Sequence, residues 1–108
     1  MITTHVLDTA LGRPAAGVPV TLDVAEGDGW RRLGAGATDG DGRLRTLFPA
    51  DAPHAAGTYR LRFDTAAYFA GRDSFYPWVE IVFAVRAGDH HHVPLLLSPF
   101  GYATYRGS

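Results

Sequence analysis

The stretch "GVPVTLDV" places Val18, Val20, Leu22 and Val24 at every second position, with Pro19, Thr21 and Asp23 between them. Successive side chains of an extended strand point to opposite faces, so this period predicts a half-buried strand and does not suit a helix. The pattern recurs. In "TYRLRFD", Tyr59, Leu61 and Phe63 oppose Arg60, Arg62 and Asp64. In "WVEIVFAV", Val79, Ile81, Phe83 and Val85 oppose a mixed face of Trp78, Glu80, Val82 and Ala84. Turn-forming "LGRPAAG", "EGDG", "DGDG", "RAGD" and "SPFG" separate the runs at sandwich-like spacing. The fold expected is an all-β sandwich of about seven or eight strands. One segment departs from the alternation. "DTAAYFAGR" offers Asp64 or Thr65 as N-cap, then alanines, then Gly71 as a stop, which predicts a short helix of about two turns.

A chain of 108 residues suits one domain, 1–108. It should bury roughly two-thirds of its unfolded surface without metal or disulfide staples. The absence of Cys excludes disulfides, thiolate metal sites and a Cys nucleophile. A net charge of −1 gives no electrostatic case for nucleic acid or an anionic membrane as partner. All ten basic residues are Arg, a compositional bias. No basic-then-apolar leader precedes Ile2, and no apolar stretch approaches about 18 residues, so the expected compartment is the cytoplasm.

Chemistry-bearing residues gather in three places. "DHHHVPLLLS" reads as a strand whose Val93, Leu95 and Leu97 face the core, with His91 on that side and His90, His92, Pro94 and Leu96 on the other. His90 and His92 then share one surface, ~7 Å apart along the strand. Such a pair serves acid/base chemistry near neutral pH or metal ligation, and a merely polar strand end weighs equally against both. "ITTHVLD" sets His5 and Leu7 opposite Thr4 and Val6, and a lone His there is more often structural. "TDGDGRL" is a tight turn. Its Asp39, Asp41 and Gly42 open like a calcium loop, but the later oxygen ligands and closing Glu are missing, which argues against calcium. Arg43 leaves that turn at a strand start, where a solvated charge is the commoner role and anion binding the rarer one. No nucleophile elbow, phosphate loop or carboxylate pair is found.

These residues occur together in one family. The chain resembles the transthyretin-related 5-hydroxyisourate hydrolases of urate breakdown, through "THVLDTALGRPAAGVPVTL", "TDGDGRLRTLFP", "GTYRLRFDTAAYF", "SFYPWVEI" and "HHHVPLLLSPFGYATYRGS". The closing YRGS is the most specific element. Transthyretin, the hormone-carrying relative, shares the fold but lacks that tetrapeptide and the histidines. The resemblance implies two four-stranded antiparallel sheets with one short helix. It assigns His5, Arg43, His92 and Ser108 to the catalytic centre and makes Tyr105, Arg106 and Gly107 shape it, with His90 and Pro94 close by. It implies a small-molecule substrate, no cofactor and no metal, and homotetramers with sites where dimers meet.

Strand parity tests that assignment independently. If one sheet face carries the site, it should hold His5 and Leu7, then His92, Pro94 and Leu96, then Ala103 and Tyr105. Ring hydrolysis requires a base for water and a cation for the oxyanion. A neutral His92 suits the first and Arg43 the second. His5 would orient His92 or protonate the leaving nitrogen, and Ser108 would position water through its hydroxyl or a terminal carboxylate. The rivals are a carrier that holds an aromatic ligand without turnover and a metal-binding sandwich using His90 and His92, with His5 as a third ligand.

Overall fold

The computed structural model describes residues 1–48 and 54–108; Pro49, which closes the middle matched segment, lies outside them. In chain order the elements are β1 (Ile2–Asp8), β2 (Arg13–Pro14), β3 (Pro19–Glu26), β4 (Gly29–Ala37), β5 (Arg43–Leu44), β6 (Gly57–Phe63), α1 (Thr65–Phe69), β7 (Val79–Val85), β8 (His91–Ser98) and β9 (Gly101–Thr104). They form two sheets. One has the order β4-β3-β6-β7, the other β2-β1-β8-β9, with β5 also paired to β1.

The alternating apolar positions are what hold the sheets together. Val20, Leu22, Leu61, Phe63, Val79 and Ile81 of one sheet bury against Ile2, Val6, Val93, Leu95 and Leu97 of the other. Each such side chain fully removed from water contributes about 1.5–3 kcal/mol. The expected two-layer sandwich is therefore present, with two differences in detail. Two-residue β2 and β5 share one edge of β1, so that sheet has five strands yet is four positions wide. Its central pair is parallel rather than antiparallel: β1 and β8 run in register from Ile2–His91 to Asp8–Leu97. Parallel neighbours need a long crossover, and here nearly the whole chain supplies it.

Asp23 was expected on a wet face, yet it is only 2% exposed. A register shift between Leu22 and Asp23 opens a bulge in the β3–β4 ladder, and bulges re-aim side chains. Arg32 Nε then donates to Asp23 Oδ1 at 2.7 Å and Arg60 Nη2 to Oδ2 at 2.9 Å. Burial opposes the Asp23 charge, but these two arginines outweigh it and hold the carboxyl below its usual range.

The helix forms as the sequence suggests and stops sooner. Asp64 Oδ1 caps it by accepting from the Ala67 amide at 3.1 Å. Its end is Ala70 in the left-handed region, φ 51°, one residue before Gly71. Helical Tyr68 donates its hydroxyl to Asp8 Oδ2 at 2.6 Å, tying the helix to β1 of the opposite sheet.

Candidate active site

The parallel ladder decides which residues share the outer face of the first sheet. Thr3 lies opposite His92, His5 opposite Pro94 and Leu7 opposite Leu96. On the flanks, Arg43 lies opposite His5, and Ala103 opposite Leu96. Directly opposed residues of a ladder point the same way, so His5, Arg43, His92 and Pro94 occupy one face as parity required. His91 takes the other face and is buried, 3% exposed. Its Nε2 accepts from the Arg86 amide and its Nδ1 donates to the Asp89 carbonyl, both at 3.2 Å.

Arg43 is delivered by the "TDGDGR" turn. Asp39 Oδ1 accepts from the amides of Asp41 at 2.9 Å and Arg43 at 3.0 Å. The Arg43 amide bond is the largest cause holding the exposed Asp39 carboxyl below its usual range; slight burial opposes it, and the Asp41 amide, Arg45 and Arg43 charges assist. Gly42 sits at φ +75°, and a side chain there would press into the Val6 carbonyl. The Val6 amide donates to the Gly42 carbonyl at 2.7 Å, which docks the turn on β1. His5 Nε2 donates to the Asp41 carbonyl at 2.8 Å, so that nitrogen carries the proton and Nδ1 is left bare in the neutral ring.

A cleft of about 180 Å³ opens beside this turn. Thr3, Arg43, Arg45, His90, His92 and Ser108 are among the residues lining it. Two arginines make it cationic and suited to an anionic or oxygen-rich ligand. His92 is half-buried. Burial first, then the charges of Arg43, His5, His90 and Arg45, push its imidazole below its ordinary value. It is therefore neutral near pH 7, as a base must be.

Four of the residues expected at the site, Arg43, His90, His92 and Ser108, thus meet at one cleft. His5 stands beside Arg43 on the same face without lining it, and Pro94 is buried opposite His5. Gly107 bridges to His92, its amide donating to the His92 carbonyl at 2.8 Å. Tyr105 and Arg106 lie elsewhere: they line a neighbouring pocket of about 240 Å³, with Ile81, Val82 and Phe83 of β7. His92 lines both spaces. Thr3 and Arg45 were not singled out from sequence, although parity places Thr3 on the His5 face. Among the described residues, no group of three or more His, Asp or Glu side chains is arranged to hold a metal ion. No helix among them is long and apolar enough to cross a membrane.

Two sheets of this order with one short helix between β6 and β7 define a β-sandwich of transthyretin type. A family model described as "HIUase/Transthyretin family" matches residues 2–107, and the chain belongs to that family. It is similar to a 5-hydroxyisourate hydrolase of Salmonella dublin, 44% identical over 111 residues that cover 100% of this chain and 81% of the relative. Among solved structures it is similar to a Klebsiella pneumoniae 5-hydroxyisourate hydrolase, with TM-score 0.85, 42% identity and coverage of 99% and 98% of the two chains. It is also similar to transthyretin from Sparus aurata, with TM-score 0.90, 33% identity and coverage of 98% and 95%.

Proposed function

We propose that residues 1–108 form one transthyretin-like hydrolase domain that opens the ring of 5-hydroxyisourate, downstream of urate oxidation, to give 2-oxo-4-hydroxy-4-carboxy-5-ureidoimidazoline. The observation that carries this reading is the meeting of neutral His92 with Arg43, His90 and Ser108 in one cationic cleft. Water adds to a ring carbonyl carbon, forming a C–O bond, and the adjacent C–N bond breaks. His92 takes the proton from water as general base, worth about 10²–10⁴-fold. Arg43 binds the substrate oxygens and the developing oxyanion. His5 steadies the turn that carries Arg43, through its Nε2–H bond to the Asp41 carbonyl, and the leaving nitrogen takes its proton from solvent water. Ser108 positions the water. Gly107 sets the place of His92, Pro94 supports His5 from the adjoining strand, and Tyr105 and Arg106 shape the wall next to His92. No cofactor or metal takes part.

We further propose a homotetramer, a dimer of dimers that brings these outer faces together, acting in the cytoplasm. The edge strands β7 and β9 each pair on one side only among the described residues, leaving edges that a second copy can join. Analytical ultracentrifugation should give four chains per particle.

The likeness to transthyretin favours one other reading, a carrier that binds an aromatic ligand without turnover. Freshly generated 5-hydroxyisourate separates the two. Its ultraviolet absorbance should decay much faster with the protein than in buffer, and His92→Ala should return the decay to near the blank. Decay at the blank rate with the intact protein would refute the hydrolase. A sharp loss in His5→Ala with His92→Ala unaffected would reverse the roles of the two histidines. Undiminished turnover after exhaustive chelation is expected.

A further inference from the structure

Thr3 Oγ1 lies 2.8 Å from His92 Nδ1 and 3.3 Å from His90 Nε2. Thr3 is 5% exposed and sits opposite His92 in the ladder, which turns its side chain to the same face as His92. The two imidazole rings have centroids 6.5 Å apart, too far to exchange a proton directly. A threonine hydroxyl has one proton and two lone pairs. Between two neutral imidazoles it donates to one and accepts from the other. A hydrogen on His92 Nδ1 therefore goes with a bare His90 Nε2, and the reverse.

We propose that Thr3 is a proton relay joining His92 to His90, an inference that rests on His92 being the base of the reaction above. At rest, His92 Nδ1–H donates to Thr3 Oγ1 and the Thr3 hydroxyl donates to His90 Nε2. His92 Nε2 then keeps a bare lone pair. When water attacks, its O–H bond breaks, its oxygen forms the new C–O bond, and its proton goes to His92 Nε2. His92 Nδ1 passes its proton to Thr3 as Thr3 passes its own to His90 Nε2. One proton has left water and one positive charge has reached His90, with His92 neutral again. After ring opening, His92 releases its Nε2 proton to solvent as a proton returns to its Nδ1. That proton comes through Thr3 from His90, and all three groups are reset.

The physical advantage lies in where the charge rests. His92 is half-buried amid Arg43, Arg45 and His5, which resist a cation there. His90 is exposed, so water solvates its imidazolium. The relay moves the charge from the first environment to the second while the oxyanion forms beside Arg43.

Thr3→Val keeps the shape and removes the hydroxyl, whereas Thr3→Ser restores it. Losing one hydrogen bond of this kind should lower kcat for 5-hydroxyisourate about tenfold in Thr3→Val, with KM unchanged. Thr3→Ser should recover most of it. Thr3→Val combined with His90→Gln should be little worse than either alone, because both break the same path. Nitrogen-15 NMR of the histidines, without substrate, should show His92 protonated on Nδ1 in the parent and a changed tautomer in Thr3→Val. Parental kcat in Thr3→Val, equal impairment in Thr3→Ser, or an unaltered His92 tautomer would overturn the relay. If the parent protein fails to hydrolyse 5-hydroxyisourate, the proposed function falls. A tautomer change in Thr3→Val would even then support the coupling, and its absence would overturn that too.

Discussion

Gly107 lies so close to the His92 ring that a methyl group on it would stand 2.5 Å from Cδ2 and 3.2 Å from Cγ. No carbon pair tolerates the shorter distance, so the glycine is the only residue that leaves the imidazole in its present place. The backbone bond from the Gly107 amide to the His92 carbonyl keeps the two segments from separating to make room.

Gly107→Ala should therefore displace the His92 ring. A misplacement on the order of 1 Å costs about 10²-fold in rate, so kcat should fall by about that factor, followed by the ultraviolet decay of 5-hydroxyisourate. Parental turnover in Gly107→Ala would show that the position of His92 does not matter.

Arg43 is the cation beside the proposed base. Arg43→Ala should lower kcat about 10²–10³-fold, the size of a lost oxyanion donor. Arg43→Lys should fall between, since an ammonium keeps the charge without the planar fork. Steady-state kinetics of the two variants checks the order, and equal rates in both would separate catalysis from the guanidinium.

The neutral form of His92 is the active one. Its pKa lies below the ordinary histidine value of 6.5, so activity should hold down to that pH and fall only as pH drops through the folded pKa. Arg43→Ala removes one of the charges that depress it, and the acid limb should then move to higher pH. A pH profile of kcat/KM in both proteins tests this, and an unmoved limb would contradict the electrostatic coupling.

His91 should govern acid stability. Burial, then the charge of Arg106, lowers its pKa, with the Asp89 carbonyl working the other way. The unfolded chain thus binds the proton more readily than the folded one. Its contribution to stability is complete above about pH 6.5 and is lost as pH falls through the folded pKa. Below that value, protonated Nε2 can no longer accept the Arg86 amide. His91→Gln should flatten the fall of Tm between roughly pH 7 and pH 5, leaving the part due to His92. Thermal melts across that range decide it.

How far these features could be read from sequence depends on their range. Period-2 alternation placed Val20, Leu22, Leu61, Phe63 and Ile81 in the core, because burial on a strand is a local property of parity. The same parity put His5, His92 and Pro94 on one face, and the ladder then made them neighbours. It could not show β2 or β5, two residues each, which exist only because β1 offers a free edge. The burial of Asp23 is not a matter of parity, because a bulge and two arginines from other strands hide it. The stop expected at Gly71 begins one residue early, with Ala70 and Gly71 both at positive φ, 51° and 85°. Thr3 passed unnoticed since its chemistry arises only when β8 lies alongside.

The pairing of β1 with β8 has a consequence for how the protein comes into being. Ile2 meets His91 only after the elements from β2 to β7 between them have been made, and pairings so distant in sequence close slowly. Until then β1 presents an open edge, the kind of surface on which nascent chains stick to one another. Because Thr3 and His92 meet along that same seam, turnover would appear last during refolding, trailing the burial of Phe63 and Leu61 in the neighbouring sheet.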